Sequence, residues 1–209
     1  MSKKVIVLLA EGFEEVEAVT PIDYLRRAGI EVTVAAVGSK TSGKPPVIKG
    51  SHDIQIAADT DIHSLIEGKK LVPAGWDGVV VPGGGPGSDN LAASKEVGTF
   101  LRAMADAGKL VSAICAAPAR VLSPLGLLTG KKFTCFPGEE EKVTASGSTS
   151  TITGGIAVWK KDRVVVDGNL ITSRGAGTAG EFACAIVSKL LGEADGKKLA
   201  ERVLLNQKV

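Results

Sequence analysis

Lys3-Lys4-Val5-Ile6-Val7-Leu8-Leu9, helical spacing from Glu14 to Ala28 and a second apolar run from Ile30 to Val37 form the stretch that sets the topology. An unbroken apolar run has no wet face, so the first segment reads as a strand buried on both sides of a sheet. Val16, Val19, Ile22 and Leu25 recur at helical intervals, with Pro21 as an interruption or kink and Gly29 as the stop. Strand, helix and strand at this length predict a βαβ unit with parallel strands and a right-handed crossover.

Further along the chain, Gly38 to Gly50 reads as a loop or hairpin and Asp53 to Ala57 as an edge strand. Asp77 to Val81 is a third core strand ending in Pro82-Gly83-Gly84-Gly85-Pro86-Gly87. The helix Val97 to Ala107 leads into a fourth strand that ends at Cys115. Phe133 to Phe136, Val164 to Val166 and Leu170 to Ser173 read as further strands, the last two joined at Asp167-Gly168-Asn169. Helices over Gly180 to Leu191 and Gly196 to Leu205 close the chain. The alternation predicts one α/β domain over residues 1–209, a three-layer sandwich around a largely parallel sheet.

Composition narrows the function classes. The 209 residues are 44% hydrophobic and 23% charged with a formal net charge of +2, which makes no electrostatic case for nucleic acid or an acidic membrane. Aromatic residues at 4% disfavour a base-stacking surface. Cys115, Cys135 and Cys184 are odd in number and hold no C-x-x-C pair, so neither a disulfide framework nor a metal site is expected. The apolar run Val5 to Ala10 is too short for a signal segment and is followed by Glu11, Glu14, Glu15 and Glu17. A cytoplasmic protein without a cofactor is the expectation.

In such sheets sites form beyond the carboxyl ends of the strands, and three features converge there: Glu17, the glycine loop and Cys115. Cys115 stands at a strand-to-helix corner, with Pro118 in the first turn of the helix that the corner opens. Unpaired N–H groups and the positive end of a helix dipole would favour its thiolate; a small buried hydrophobe is the other reading of the position. Glu17 is either a first-turn helix acid or a pocket carboxyl that holds its proton near neutrality. The glycine loop is no dinucleotide fingerprint, since Ser88 takes the last glycine's place. It would instead bring the N–H of Gly84 or Gly85 beside the sulfur, forming an oxyanion hole with Ala116. His52 and His63 fall away from the strand ends and read as surface histidines.

The chain resembles the DJ-1/ThiJ branch of the DJ-1/ThiJ/PfpI superfamily. The resemblance rests on Ala10-Glu11-Gly12-Phe13-Glu14-Glu15-Val16-Glu17, Arg26-Arg27-Ala28-Gly29, Val81-Pro82-Gly83-Gly84, Ala113-Ile114-Cys115-Ala116-Ala117-Pro118 and Thr172-Ser173-Arg174-Gly175-Ala176-Gly177-Thr178. It implies a flavodoxin-like sandwich with a cysteine nucleophile elbow, usually a homodimer with the site near the partner. It further implies that Cys115 is the oxidisable nucleophile, Glu17 its protonated partner, and the amides of Gly84 and Ala116 the groups around the sulfur. Arg27 and Arg174 match the family's anion pocket, where His52 replaces an arginine. Two auxiliary histidines of relatives are replaced, one by Ala116 and one by Phe136 before Pro137.

These residues point to a cysteine-dependent glyoxalase or protein deglycase, acting on methylglyoxal, glyoxal or early glycation adducts in carbonyl and oxidative stress. A redox sensor or holdase chaperone governed by oxidation of Cys115 is the rival. A PfpI-like peptidase ranks lower, because no histidine base is in place.

Overall fold

The computed structural model describes residues 2–38, 45–145 and 155–205. The chain opens with β1 (Lys4–Ala10), α1 (Glu15–Arg27) and β2 (Glu31–Val37), followed by β3 (Val47–Lys49), β4 (Gln55–Ala57), β5 (Thr60–Asp61) and α2 (Ile62–Glu67). Next come β6 (Gly78–Val81), α3 (Gly85–Ala93), α4 (Lys95–Asp106), β7 (Leu110–Ile114), β8 (Lys132–Phe133) and α5 (Glu140–Ala145). The last elements are β9 (Val158–Trp159), β10 (Val164–Asp167), β11 (Leu170–Ser173), α6 (Ala179–Leu191) and α7 (Glu193–Arg202).

Seven strands make the main sheet in the order β10-β11-β7-β6-β1-β2-β5. All neighbours are parallel except β10, which returns antiparallel on β11 through the Asp167–Leu170 pair. The apolar run of β1 is buried on both faces. Ile6, Leu8 and Ala10 enter one core with α2, α3 and α4, while Val5, Val7 and Leu9 enter the other with α1, α6 and α7. The chain leaves β1 towards β2 and later adds β6 on the opposite side, so the topological switch point lies between β1 and β6. Among the described residues no helix is long and apolar enough to cross a membrane.

Several local expectations are corrected. Pro21 neither interrupts nor ends α1. Asp53 to Ala57 is not an edge of the main sheet: β4 pairs antiparallel with β3 in a separate hairpin, and β5 forms the edge. Residues 39–44 of the anticipated Gly38–Gly50 loop lie outside the described residues. The Phe133–Phe136 strand shrinks to Lys132–Phe133, paired with β9 off the main sheet. The glycine loop runs at Gly85 straight into α3, a helix that periodicity does not announce, because glycine and proline fill its first turn.

Close packing of backbone on backbone ties that helix to the end of β1. A Cβ at Gly87 would lie 2.6 Å from Phe13 Cα and 2.7 Å from Phe13 N, atoms that cannot swing aside. Gly87→Ala is expected to destabilise by about 1–2 kcal/mol, overpacking outweighing the helical preference for alanine. Gly177→Ala, with nothing within 4 Å of its added carbon, should change stability by less than about 0.5 kcal/mol. Urea unfolding of both variants checks the pair.

Candidate active site

The sheet order sets the carboxyl ends of β1, β6 and β7 side by side, and each contributes to one cluster. Glu17, in the first turn of α1, is 1% exposed. The Glu14 carboxylate caps the helix by accepting the Glu17 N–H at 2.7 Å, which points the Glu17 side chain inward to its own partners. Glu17 Oε2 accepts the Gly83 N–H at 3.1 Å, and the carboxyl is also hydrogen-bonded to the Cys115 thiol and the Ala176 N–H.

Cys115 comes directly after β7 with φ of 65°, a left-handed conformation costing a non-glycine residue about 1–3 kcal/mol. Two backbone hydrogen bonds hold it there. Its N–H donates to Ser173 O at 3.0 Å, and its carbonyl accepts the Phe136 N–H at 2.8 Å. The sulfur also receives the N–H groups of Gly84 and Ala116. Gly85, the alternative amide, opens α3, and its carbonyl accepts from Arg120. Gly83 matters more than either neighbour for closeness: a Cβ there would stand 2.5 Å from Cys115 Cβ and strike the Glu17 carboxylate.

Burial first, then the charge of Glu14, raises the Glu17 carboxyl to about 7 against its hydrogen bonds from Cys115, Gly83 and Ala176. Burial, the charge of Glu17 and donation of the thiol proton to Glu17 push Cys115 up to about 12, with the two amides opposing. The expected thiolate at a helix N-terminus is therefore corrected. The segment after Cys115 is a five-residue wide turn, Pro118–Leu122, rather than an α-helix, and an anionic Glu17 disfavours a second anion beside it. Two of the three causes that raise the thiol vanish when Glu17 is protonated. Thiolate and neutral carboxyl go together, as one proton shared by a coupled pair. Cys135 is fully buried and likewise pushed up to about 12 by burial; Cys184 is partly exposed on α6.

Arg120 braces the cluster from outside. It makes a two-pronged ion pair with Glu139 (3.0 and 2.7 Å), a second with Asp89 on α3, and donates to Gly85 O at 3.3 Å. It thus ties the glycine loop to the turn after Phe136. Sequence reasoning missed it, although one cation among Ala-Ala-Pro-Ala and Val-Leu was a visible signal.

The three expected anion-pocket residues are not gathered within one chain. Arg27 ends α1, about 15 Å along the helix from Glu17, paired with Asp23. Arg174 donates to Lys161 O at 3.0 Å. His52 comes nearer than its place in the sequence suggested, since its Nδ1 lies 2.8 Å from Glu15 Oε2. Burial works to raise Glu15, but hydrogen bonds from the His52 ring and from backbone N–H groups bring it down to about 2. His52 therefore clamps the turn over Glu15, and His63 lies in α2.

A mostly parallel sheet between helical layers, with a carboxyl-paired cysteine beyond its strand ends, defines a flavodoxin-like α/β class of protein. Within that class the chain belongs to the DJ-1/PfpI family, which it matches over residues 3–189. It is 39% identical to Protein dj-1beta of Drosophila melanogaster over 98% of both chains. It is 32% identical to Glutathione-independent glyoxalase DJR-1.2 of Caenorhabditis elegans over 96% of this chain and 95% of that one. The crystal structure of Drosophila melanogaster DJ-1beta superposes with a TM-score of 0.82 at 38% identity, covering 99% of this chain and all of the other.

The buried carboxyl has a stability consequence whose sign is fixed. Glu17 is raised from its ordinary value of 4.5 to about 7, so its contribution is full below pH 4.5 and is lost as pH rises through about 7. Wild type should lose up to about 3 kcal/mol of stability relative to Glu17→Gln between pH 4.5 and 8. Urea unfolding of both proteins across that range reads the difference; His52, also raised by Glu15, is common to both and cancels.

Proposed function

We propose that this chain is a cofactor-free glyoxalase that converts 2-oxoaldehydes such as methylglyoxal and glyoxal to 2-hydroxy acids. Early glycation adducts of proteins would join the same sequence at the hemithioacetal: the Cys115 thiolate forms the C–S bond as the hemiaminal C–N bond breaks and the amine leaves with the proton that Glu17 held, a deglycase activity suited to carbonyl and oxidative stress. The observation that carries the reading is the Glu17 carboxyl hydrogen-bonded to Cys115 beneath the Gly84 and Ala116 amides. The name of the Caenorhabditis elegans relative supports it.

The Cys115 thiolate adds to the aldehyde carbon, forming a C–S bond, and the aldehyde oxygen takes the proton that Glu17 held. The amides of Gly84 and Ala116 stabilise that oxygen as charge develops. The Glu17 carboxylate then removes the hydrogen on this carbon as a proton and returns it to the neighbouring carbon. The hydroxyl proton passes to the neighbouring oxygen. The former aldehyde carbon is oxidised by two electrons, the ketone carbon is reduced by two, and a thioester results. Water cleaves it, releasing the 2-hydroxy acid and restoring the thiol. One acid/base suffices for this sequence, so no histidine is required.

Exposed Val16 and Val19 on α1, the helix that carries Glu17, support a two-fold homodimer with the site near the seam. The Glu17 hydrogen bond also supports a second reading, in which Cys115 oxidised to sulfinic acid is held by the protonated carboxyl and the protein acts as a sensor or holdase.

Lactate formation from methylglyoxal is the test. Cys115→Ser should abolish it, and Glu17→Ala should lower kcat by at least about 100-fold with the fold retained. The double change of His52 and His63 to Ala should keep turnover within about fivefold. Near wild-type kinetics in Glu17→Ala would overturn the glyoxalase reading.

A further inference from the structure

The five phenylalanines divide sharply. Phe13, Phe100, Phe133 and Phe182 are each 2% exposed or less, whereas Phe136 is 50% exposed and stands beside the reactive cysteine. Leaving such a ring in water forgoes the stabilisation that burial of an aromatic side chain supplies.

The backbone that carries the ring is held at both ends. Its backbone N–H donates to Cys115 O, its carbonyl accepts the Glu139 N–H at 3.0 Å, and Glu139 is clamped by Arg120 and Lys142. Gly175 sets the distance between ring and carboxyl. The point where a Cβ of residue 175 would sit lies 3.5 Å from Phe136 Cδ2 and 3.8 Å from Glu17 Oε1. Both groups thus border one small space that only the absence of a side chain keeps open. One wall is an oxygen of the Glu17 carboxyl and the other is a hydrocarbon ring with no donor or acceptor. A polar substituent turned towards that wall would lose water and gain no partner. A flat apolar one would gain aromatic contact.

We infer that Phe136 sets the substrate class of the site towards 2-oxoaldehydes bearing an aromatic or bulky apolar group on the ketone carbon. This rests on the glyoxalase reading and adds to it the side of the substrate that does not react. Cys115 attacks the aldehyde carbon as before, so the chemistry and its balance are unchanged; the substituent alone lies against the ring.

The experiment compares kcat/KM for phenylglyoxal and methylglyoxal in wild type, Phe136→Ala, Phe136→Tyr and Gly175→Ala. A second readout, independent of turnover, is the rate of Cys115 alkylation by iodoacetanilide relative to iodoacetamide. The phenylglyoxal to methylglyoxal ratio should fall about fivefold in Phe136→Ala, recover in Phe136→Tyr, and fall in Gly175→Ala, whose methyl group fills the space. The alkylation ratio should show the same order. Turnover of both oxoaldehydes with neither ratio moved by any variant would overturn the inference and leave the glyoxalase reading standing. Turnover of neither substrate by wild type would sink that reading, and the substrate class with it, a result distinct from the first. Phe136→Leu, which keeps an apolar side chain, replaces Phe136→Ala if circular dichroism shows the latter unfolded.

Discussion

The missing side chain at Gly83 is the constraint on which the site depends. Glu17 arrives on a helix from one layer, Cys115 on a strand end, and the loop after β6 passes between them. Any Cβ in that loop at position 83 would occupy space that the carboxylate and the Cys115 methylene already fill. Closeness then has electrostatic consequences, because two acids in a desolvated space cannot both ionise. The strained backbone at Cys115 and the brace of Arg120 act on the same arrangement, one aiming the sulfur and the other fixing the loop.

Proton sharing distinguishes this cluster from a cysteine paired with histidine. A histidine partner becomes a cation when it takes the thiol proton, so the pair ends as opposite charges. A carboxylate partner becomes neutral, and the pair carries one negative charge throughout. The surrounding amides of Gly83, Gly84, Ala116 and Ala176 answer that single charge from both ends, whichever atom bears it. Chemistry that moves a proton between neighbouring carbons needs only such a pair, since the acid that gives one proton is the base that takes the next.

Much of the fold was legible because β1 cannot be mistaken: Val5 to Leu9 has no polar face, and the βαβ spacing after it allows one handedness. Cys115, Glu17 and the glycine loop were legible as strand-end residues for the same reason. Short pairings were not. β8 and β9 are two residues each, β4 pairs within a hairpin, and α3 starts with the two residue types that ordinarily end helices. Nor does spacing reveal a three-way contact such as Arg120 with Asp89 and Glu139, since its members are 31 and 19 positions apart. The thiol's protonation was not legible because its largest cause is burial, which the strand-end position of Cys115 does not reveal, with the charge of Glu17 adding to it.

The two cores share the strands of the sheet but no side chain. Changes in one helical layer should therefore add to changes in the other with little coupling, as distant sites do. The cleft is the exception, because it takes its carboxyl from the α1 layer and its glycine loop and Arg120 brace from the opposite one. It acts as a gauge mounted across a spacer. A displacement between layers that either core would tolerate is registered there as a change in the distance between a sulfur and an oxygen, and hence in where one proton resides.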